Sequence, residues 1–83
     1  MEKENDILWK RASDWILTEQ PEWVAIDKPS GILSIPDRMG KERSLKTWLA
    51  ERYGQIYTVH RIDRDTSGLI LFARTPEAQQ HFS

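Results

Sequence analysis

The sequence predicts an α+β domain whose sheet is mixed but mainly antiparallel. Three observations lead there. Short apolar segments, alternating or partly β-branched, recur at residues 15–18, 23–27, 57–62 and 69–73, with polar or turn-forming residues between them. Residues 44–54 combine a capping serine, apolar positions at three- and four-residue spacing, and a terminating glycine, which together specify a helix. Thr75-Pro76-Glu77 opens a second helix, with a threonine cap, proline at the first position and an acid in the first turn.

Each element can be justified in order. Met1 to Asp6 is charged and poor in apolar residues, so it is expected to be disordered. Ile7 to Ala12 is too short to decide between a strand and a helical turn, although Leu8, Ala12 and Ile16 have helical spacing. Residues 1–14 are therefore read as an acidic, partly disordered N-terminal segment, and residues 15–83 as the folded unit. Trp15-Ile16-Leu17-Thr18 reads as a strand. Glu19-Gln20-Pro21-Glu22 is a turn in which Pro21 fixes one backbone angle. Trp23 to Asp27 returns as a second strand, forming a hairpin with the first. Lys28-Pro29-Ser30-Gly31 leaves the sheet, because Pro29 cannot continue a central ladder and Gly31 permits a positive φ. Ile32 to Ile35 is a short extended piece and Pro36 to Gly40 a loop.

The main helix is expected over about 44–53, capped by Ser44 and ended by Gly54. Trp48 and Leu49 on its apolar side are assigned to the core rather than to stacking on bases. Tyr57, Val59 and Ile62, with polar residues between them, predict a strand. The apolar run Leu69 to Ala73 predicts a buried one, and a helix starts near Pro76.

Composition narrows the functional classes. An 83-residue chain forms one small domain, and such a chain buries only roughly 60–65% of its unfolded surface. Without cysteine it has neither disulfides nor a thiolate metal site, and two histidines are too few for a zinc cluster. No metal site is expected. The longest apolar run is far short of a membrane span, and the acidic start does not resemble a signal peptide. A soluble cytoplasmic protein without membrane contact is expected. Charge is uneven: residues 1–37 carry eight acids and four bases, residues 38–83 five acids and eight bases, giving −1 in total. The basic half is a modest nucleic-acid signal.

That half contains the chemistry-bearing stretch. Asp63, Arg64, Asp65, Thr66, Ser67 and Gly68 form a polar turn between two predicted strands, the kind of scaffolded loop on which catalytic residues tend to sit. Arg61 and Arg64 flank Asp63, with His60 and Asp65 close by. Guanidinium groups beside a carboxylate keep it ionised and present planar forks for phosphate. An anionic nucleophile or base inside a cationic rim suits a polyanionic substrate. A surface turn with internally satisfied ion pairs fits the same residues.

The wider pattern separates these readings. His60-Arg61-Ile62-Asp63-Arg64-Asp65-Thr66-Ser67-Gly68-Leu69, continuing to Ala73-Arg74-Thr75, closely resembles the catalytic motif of the RluA-type pseudouridine synthases. That motif runs His-Arg-Leu-Asp, two variable residues, Thr-Ser-Gly, then an apolar run ending Ala-Lys/Arg-Thr; Ile62 replaces the usual leucine. Upstream, Val24-Ala25-Ile26-Asp27-Lys28-Pro29-Ser30-Gly31 resembles the family's strand followed by Lys-Pro-Ala/Ser-Gly. The resemblance covers roughly residues 15–83, the opening portion of a complete catalytic domain. The family's remaining strands, a tyrosine-bearing motif and a later basic residue would lie beyond Ser83. The chain is accordingly expected to be a fragment, or a short relative with reduced function.

The resemblance implies an isomerase that converts uridine in rRNA or tRNA to pseudouridine without cofactor or metal. The glycosidic bond breaks, the base rotates, and it rejoins through carbon. Asp63 is then the essential carboxylate, ionised and close to the sugar's anomeric region. Arg61 matches the residue that enters the RNA helix and helps expel the base. Thr66, Ser67 and Gly68 would set the turn, and His60 and Arg64 would contact the RNA backbone. Lys28, on its own a solvated loop lysine, becomes a structural support near the cleft. A truncated sheet of this kind exposes edges and apolar surface and is expected to self-associate.

Three alternatives come from other classes. Asp63-Arg64-Asp65-Thr66 also resembles the start of haloacid-dehalogenase-type phosphotransferases, but those need a buried parallel strand before the first aspartate, and Val59-His60-Arg61-Ile62 is too polar. Asp63-X-Asp65-X-Ser67-Gly68 is similar to the start of a calcium loop, yet its twelfth position is Arg74 where a bidentate glutamate is required. The third alternative is a non-catalytic RNA-binding or structural remnant of the synthase family.

Overall fold

The computed structural model describes residues 4–40 and 42–83. Four strands form one sheet in the order β1-β2-β4-β3, with β1 at Ile16–Glu19, β2 at Trp23–Lys28, β3 at Tyr57–Thr58 and β4 at Gly68–Ala73. Every pairing within this sheet is antiparallel. A lone parallel bridge joins Leu33 to Ser44 outside it. Among the described residues, three α-helices accompany the sheet: α1 at Glu4–Trp9, α2 at Leu45–Tyr53 and α3 at Pro76–Phe82.

The strand period sorts residues onto two faces. Val24 and Ile26 of β2 stand opposite Phe72 and Ile70 of β4, and all four are fully buried. They form the core with Ile32, Leu45, Leu49 and Ile56. The other face carries Ala25, Asp27, Leu69 and Leu71. Helix α3 covers only its Trp23–Ala73 end, where Ala78 is buried and Phe82 meets the Trp23 ring edge-on. Leu69, at the open end, is 64% exposed.

The predicted hairpin is present, with a bulge between Ile16 and Thr18. Both helix caps form as the sequence predicts. Ser44 Oγ accepts from the Thr47 amide at 3.2 Å, and Thr75 Oγ1 from the Ala78 amide at 3.0 Å. Leu49 is fully buried and Trp48 packs partly against the core.

Two regions differ from expectation. Met1–Lys3 lie outside the described residues, but Glu4–Asp6, expected to be disordered, open helix α1. The core also starts before residue 15. Trp9 is 5% exposed and Ala12 is buried, with Trp9 packed 5.3 Å from Trp15 and 6.4 Å from Trp48 between ring centroids. A six-residue helix is held by such packing rather than by propensity. Secondly, the strand predicted through Ile62 stops at Thr58. Beyond it, the His60 imidazole substitutes for a backbone acceptor: its Nε2 accepts from the Leu71 amide at 3.1 Å. The chain is thus free to turn away from β4 and build the polar loop.

Candidate active site

The loop from Arg61 to Ser67 has no regular secondary structure, yet its backbone is closely tied. Five successive carbonyls, Ile62 to Thr66, each accept a hydrogen bond. Ser34 Oγ donates to Ile62 at 2.7 Å, and the Thr66 amide to Asp63 at 3.0 Å. The Gly31 amide donates to Arg64 at 2.8 Å, and Ser30 Oγ to Asp65 at 2.8 Å. Lys28 Nζ reaches both Arg64 and Thr66, at 3.0 and 2.8 Å, and also its neighbour Pro29 at 3.0 Å.

Lys28 is therefore no solvated loop lysine. It is fully buried at the end of β2, opposite Gly68, on the core-facing side of the sheet. An ammonium group has three donors and no acceptor, and here three carbonyls receive them. Burial lowers its pKa below the usual lysine range, while the charge of Asp65 acts in the opposite direction. The two glycines beside this centre have φ of +98° at Gly31 and +137° at Gly68. Side-chain-bearing residues rarely adopt those values. Gly31 thereby turns its amide toward Arg64, and Gly68 carries the chain out of the loop into β4.

The fixed backbone leaves the side chains outside. Arg61 and Asp63 are exposed, and neither side chain makes a hydrogen bond or ion pair with a described residue. Together with Ile62 and Arg64 they line one bank of a cleft of about 190 Å³. Leu33, Ser34, Ile35, Pro36 and Asp37 form the other bank. Helix α2 holds that bank, since its Leu45 and Lys46 amides donate to the Leu33 and Ser34 carbonyls at 2.8 and 3.0 Å.

The expected residues are thus only partly brought together. Arg61, Asp63 and Arg64 share the cleft. His60 lies at the β4 edge, and Thr66 and Ser67 are exposed on the far side of the turn, outside the cleft lining. Neither arginine forms an ion pair with Asp63, which counts against the reading of a surface turn with internally satisfied ion pairs. Arg64 instead pairs with Glu42 at 2.7 Å. Sequence reasoning missed the roles of Ser34 and Glu42, whereas Ser30 belongs to the Lys28-Pro29-Ser30-Gly31 motif read as a structural support near the cleft. Ser34 left a trace, as a lone hydroxyl within the apolar run Ile32–Ile35. Glu42 left none, being one charge in a charged loop. The phosphotransferase alternative loses its premise, since the strand before Asp63 is two residues long and antiparallel to β4.

Comparison with known proteins identifies the family and the fold. The sequence profile of the family described as RNA pseudouridylate synthase matches residues 22–83. A Vibrio vulnificus protein described as dual-specificity RNA pseudouridine synthase RluA is 42% identical over 65 residues, covering 77% of this chain and 26% of that protein. Its Escherichia coli counterpart is 38% identical over 66 residues, covering 78% and 30%. The structure of human RNA pseudouridylate synthase domain containing 4 superposes with a TM-score of 0.65 at 20% identity, over 95% of this chain and 31% of that one, a likeness of fold. The chain thus spans between a quarter and a third of the length of these relatives. On its sequence match over residues 22–83, the chain belongs to the RNA pseudouridylate synthase family.

Proposed function

We propose that this chain carries the catalytic turn of an enzyme that isomerises uridine to pseudouridine in rRNA or tRNA. The observation that carries the proposal is a closely tied loop with two functional groups that have no partner among the described residues. Every carbonyl from Ile62 to Thr66 is held by the protein, while the Asp63 carboxylate and the Arg61 guanidinium stand at the cleft without described partners. Preorganisation of this kind favours reaction because the reacting group needs no reordering. Asp63 acts at the anomeric region of the sugar. Arg61 offers a planar cation that stacks where a base is extruded and pairs with phosphate, which offsets the few kcal/mol that extrusion costs.

His60, Arg64, Thr66 and Ser67 are proposed as further RNA-facing residues of the same turn. The relatives' descriptions, which name RNA, support that polymer as substrate. No described helix is long and apolar enough to cross a membrane; the relatives' descriptions as RNA pseudouridine synthases support the proposal of a cytoplasmic location. The open sheet edges at β1 and β3 support self-association of the chain.

The test is release of tritium from RNA labelled on the uracil carbon that forms the new bond. Wild type and Asp63→Ala are compared after thermal melts establish that both are folded. Release by the wild type and none by Asp63→Ala, with RNA binding retained, is the expected result. Equal release by the two sinks the assignment of Asp63. The exposed arginines Arg61 and Arg64 at the cleft also fit a second reading, a non-catalytic RNA-binding piece. Folded wild type that binds RNA without releasing tritium identifies it.

A further inference from the structure

The two cleft arginines are in different electrostatic states. Arg61 has no described partner, whereas Arg64 Nη2 lies 2.7 Å from Glu42 Oε1. Glu42 belongs to the loop that leads from the opposite bank of the cleft into helix α2. Its side chain is 21% exposed against 55% for Arg64, so the carboxylate is the more enclosed member. The second oxygen, Oε2, is buried without a hydrogen-bond partner among the described residues. Among the described residues, Glu42 therefore depends on Arg64 for its compensation. The Arg64 backbone cannot shift to help, because its carbonyl is held by Lys28 and Gly31. Only the guanidinium can swing.

We propose that Glu42 is a resident counter-ion that holds Arg64 away from the RNA backbone and so tunes the affinity of the cleft for RNA. The inference rests on the RNA reading above. A phosphate must displace a carboxylate already tethered beside the guanidinium, at high effective concentration. Displacement leaves that carboxylate enclosed and unpaired, which is unfavourable. RNA therefore gains less from Arg64 than from a free arginine. The apparent dissociation constant rises by the reciprocal of the fraction of Arg64 that is released.

The test is a double-mutant cycle on the full chain: wild type, Glu42→Gln, Arg64→Gln and the double variant. Each is titrated against a fluorescein-labelled RNA stem–loop with uridines in its loop, at one fixed low salt concentration. Glu42→Gln is expected to bind about two- to fivefold more tightly, the range a partly exposed ion pair is worth. In the Arg64→Gln background the same change is expected to have no effect. An equal gain in both backgrounds means only that a negative charge was removed, and overturns the proposal. So does no gain, or weaker binding. Should Glu42→Gln not fold, Glu42→Ala carries the same comparison. Absence of RNA binding by all four folded proteins overturns the RNA reading and this inference with it. Binding without coupling overturns this inference alone.

Discussion

At the scale of single residues, Lys28 bears most on the site. Its ammonium serves carbonyls 36 and 38 positions away in sequence, so one side chain ties β2 to the turn that presents Asp63. Lys28→Met leaves the Thr66 carbonyl unsatisfied and Arg64 with Gly31 alone. An orphaned buried acceptor costs about 1–3 kcal/mol, and this hydrogen bond is partly buried. Urea unfolding is expected to show a loss of roughly 2 kcal/mol, with faster amide exchange at Gly31 and Thr66. Unchanged exchange at both amides would separate the lysine from the turn. Tyr53 gives a pH signature. Burial raises its pKa above the ordinary 10.0, and the hydrogen bond to Glu19 raises it further, against an opposing effect of Arg52. A group whose folded value is raised contributes stability that is fully present below the unfolded value and lost as pH rises through the folded one. The wild type should therefore lose stability above about pH 10, and Tyr53→Phe should lose less. Melting temperatures of both proteins between pH 9 and pH 11 test this.

At the scale of elements, the cleft is a junction of three segments. The start of α2 donates to the Leu33–Ser34 strip, and Ser34 then bonds both polar groups of Ile62, donating to its carbonyl and accepting from its amide. Ser34 is 3% exposed, so water cannot replace the hydroxyl without a structural opening. Ser34→Ala should lower stability by about 1 kcal/mol, and the tritium-release rate should fall more than the RNA affinity. An equal fall in both would indicate general unfolding rather than a misplaced turn. The cap of α2 is legible in sequence because Ser44 and Thr47 are close neighbours. The end of β3 is not, because the alternation of Val59 and Ile62 is real but the partner at Leu71 is an imidazole, not a strand.

At the scale of the whole molecule, the sheet is finished on one face and open on the other. The core side is packed with buried residues, whereas the far side is covered by α3 at one end only. Leu69 remains 64% exposed there, and Leu17 at the bulge of edge strand β1 is 58% exposed. Exposed apolar groups beside open strand edges promote association. Light scattering at micromolar concentration should report a dimer or larger species, with Leu69→Lys shifting it toward monomer. A monodisperse wild-type monomer would contradict the self-association proposed above.

The sequence by itself determined the elements whose signals are local. The hairpin, both capped helices, the strand over the apolar run of β4 (though not its burial, since only one face is covered) and the motif around Asp63 each rest on residues within a few positions of one another. Such signals are readable because caps, turns and periodicity act over one or two turns of chain. Tertiary structure alone decided the burial of Lys28, the use of His60 as a backbone acceptor, the pairing of Arg64 with Glu42, and the place of Trp9 in the core. A charged side chain can be buried or solvated, and an arginine can face substrate or protein. Which state is more stable depends on donors and acceptors brought from more than twenty residues away in the case of Arg64, and from more than thirty in the case of Lys28. No local pattern records those partners, so they exist only once the sheet has folded.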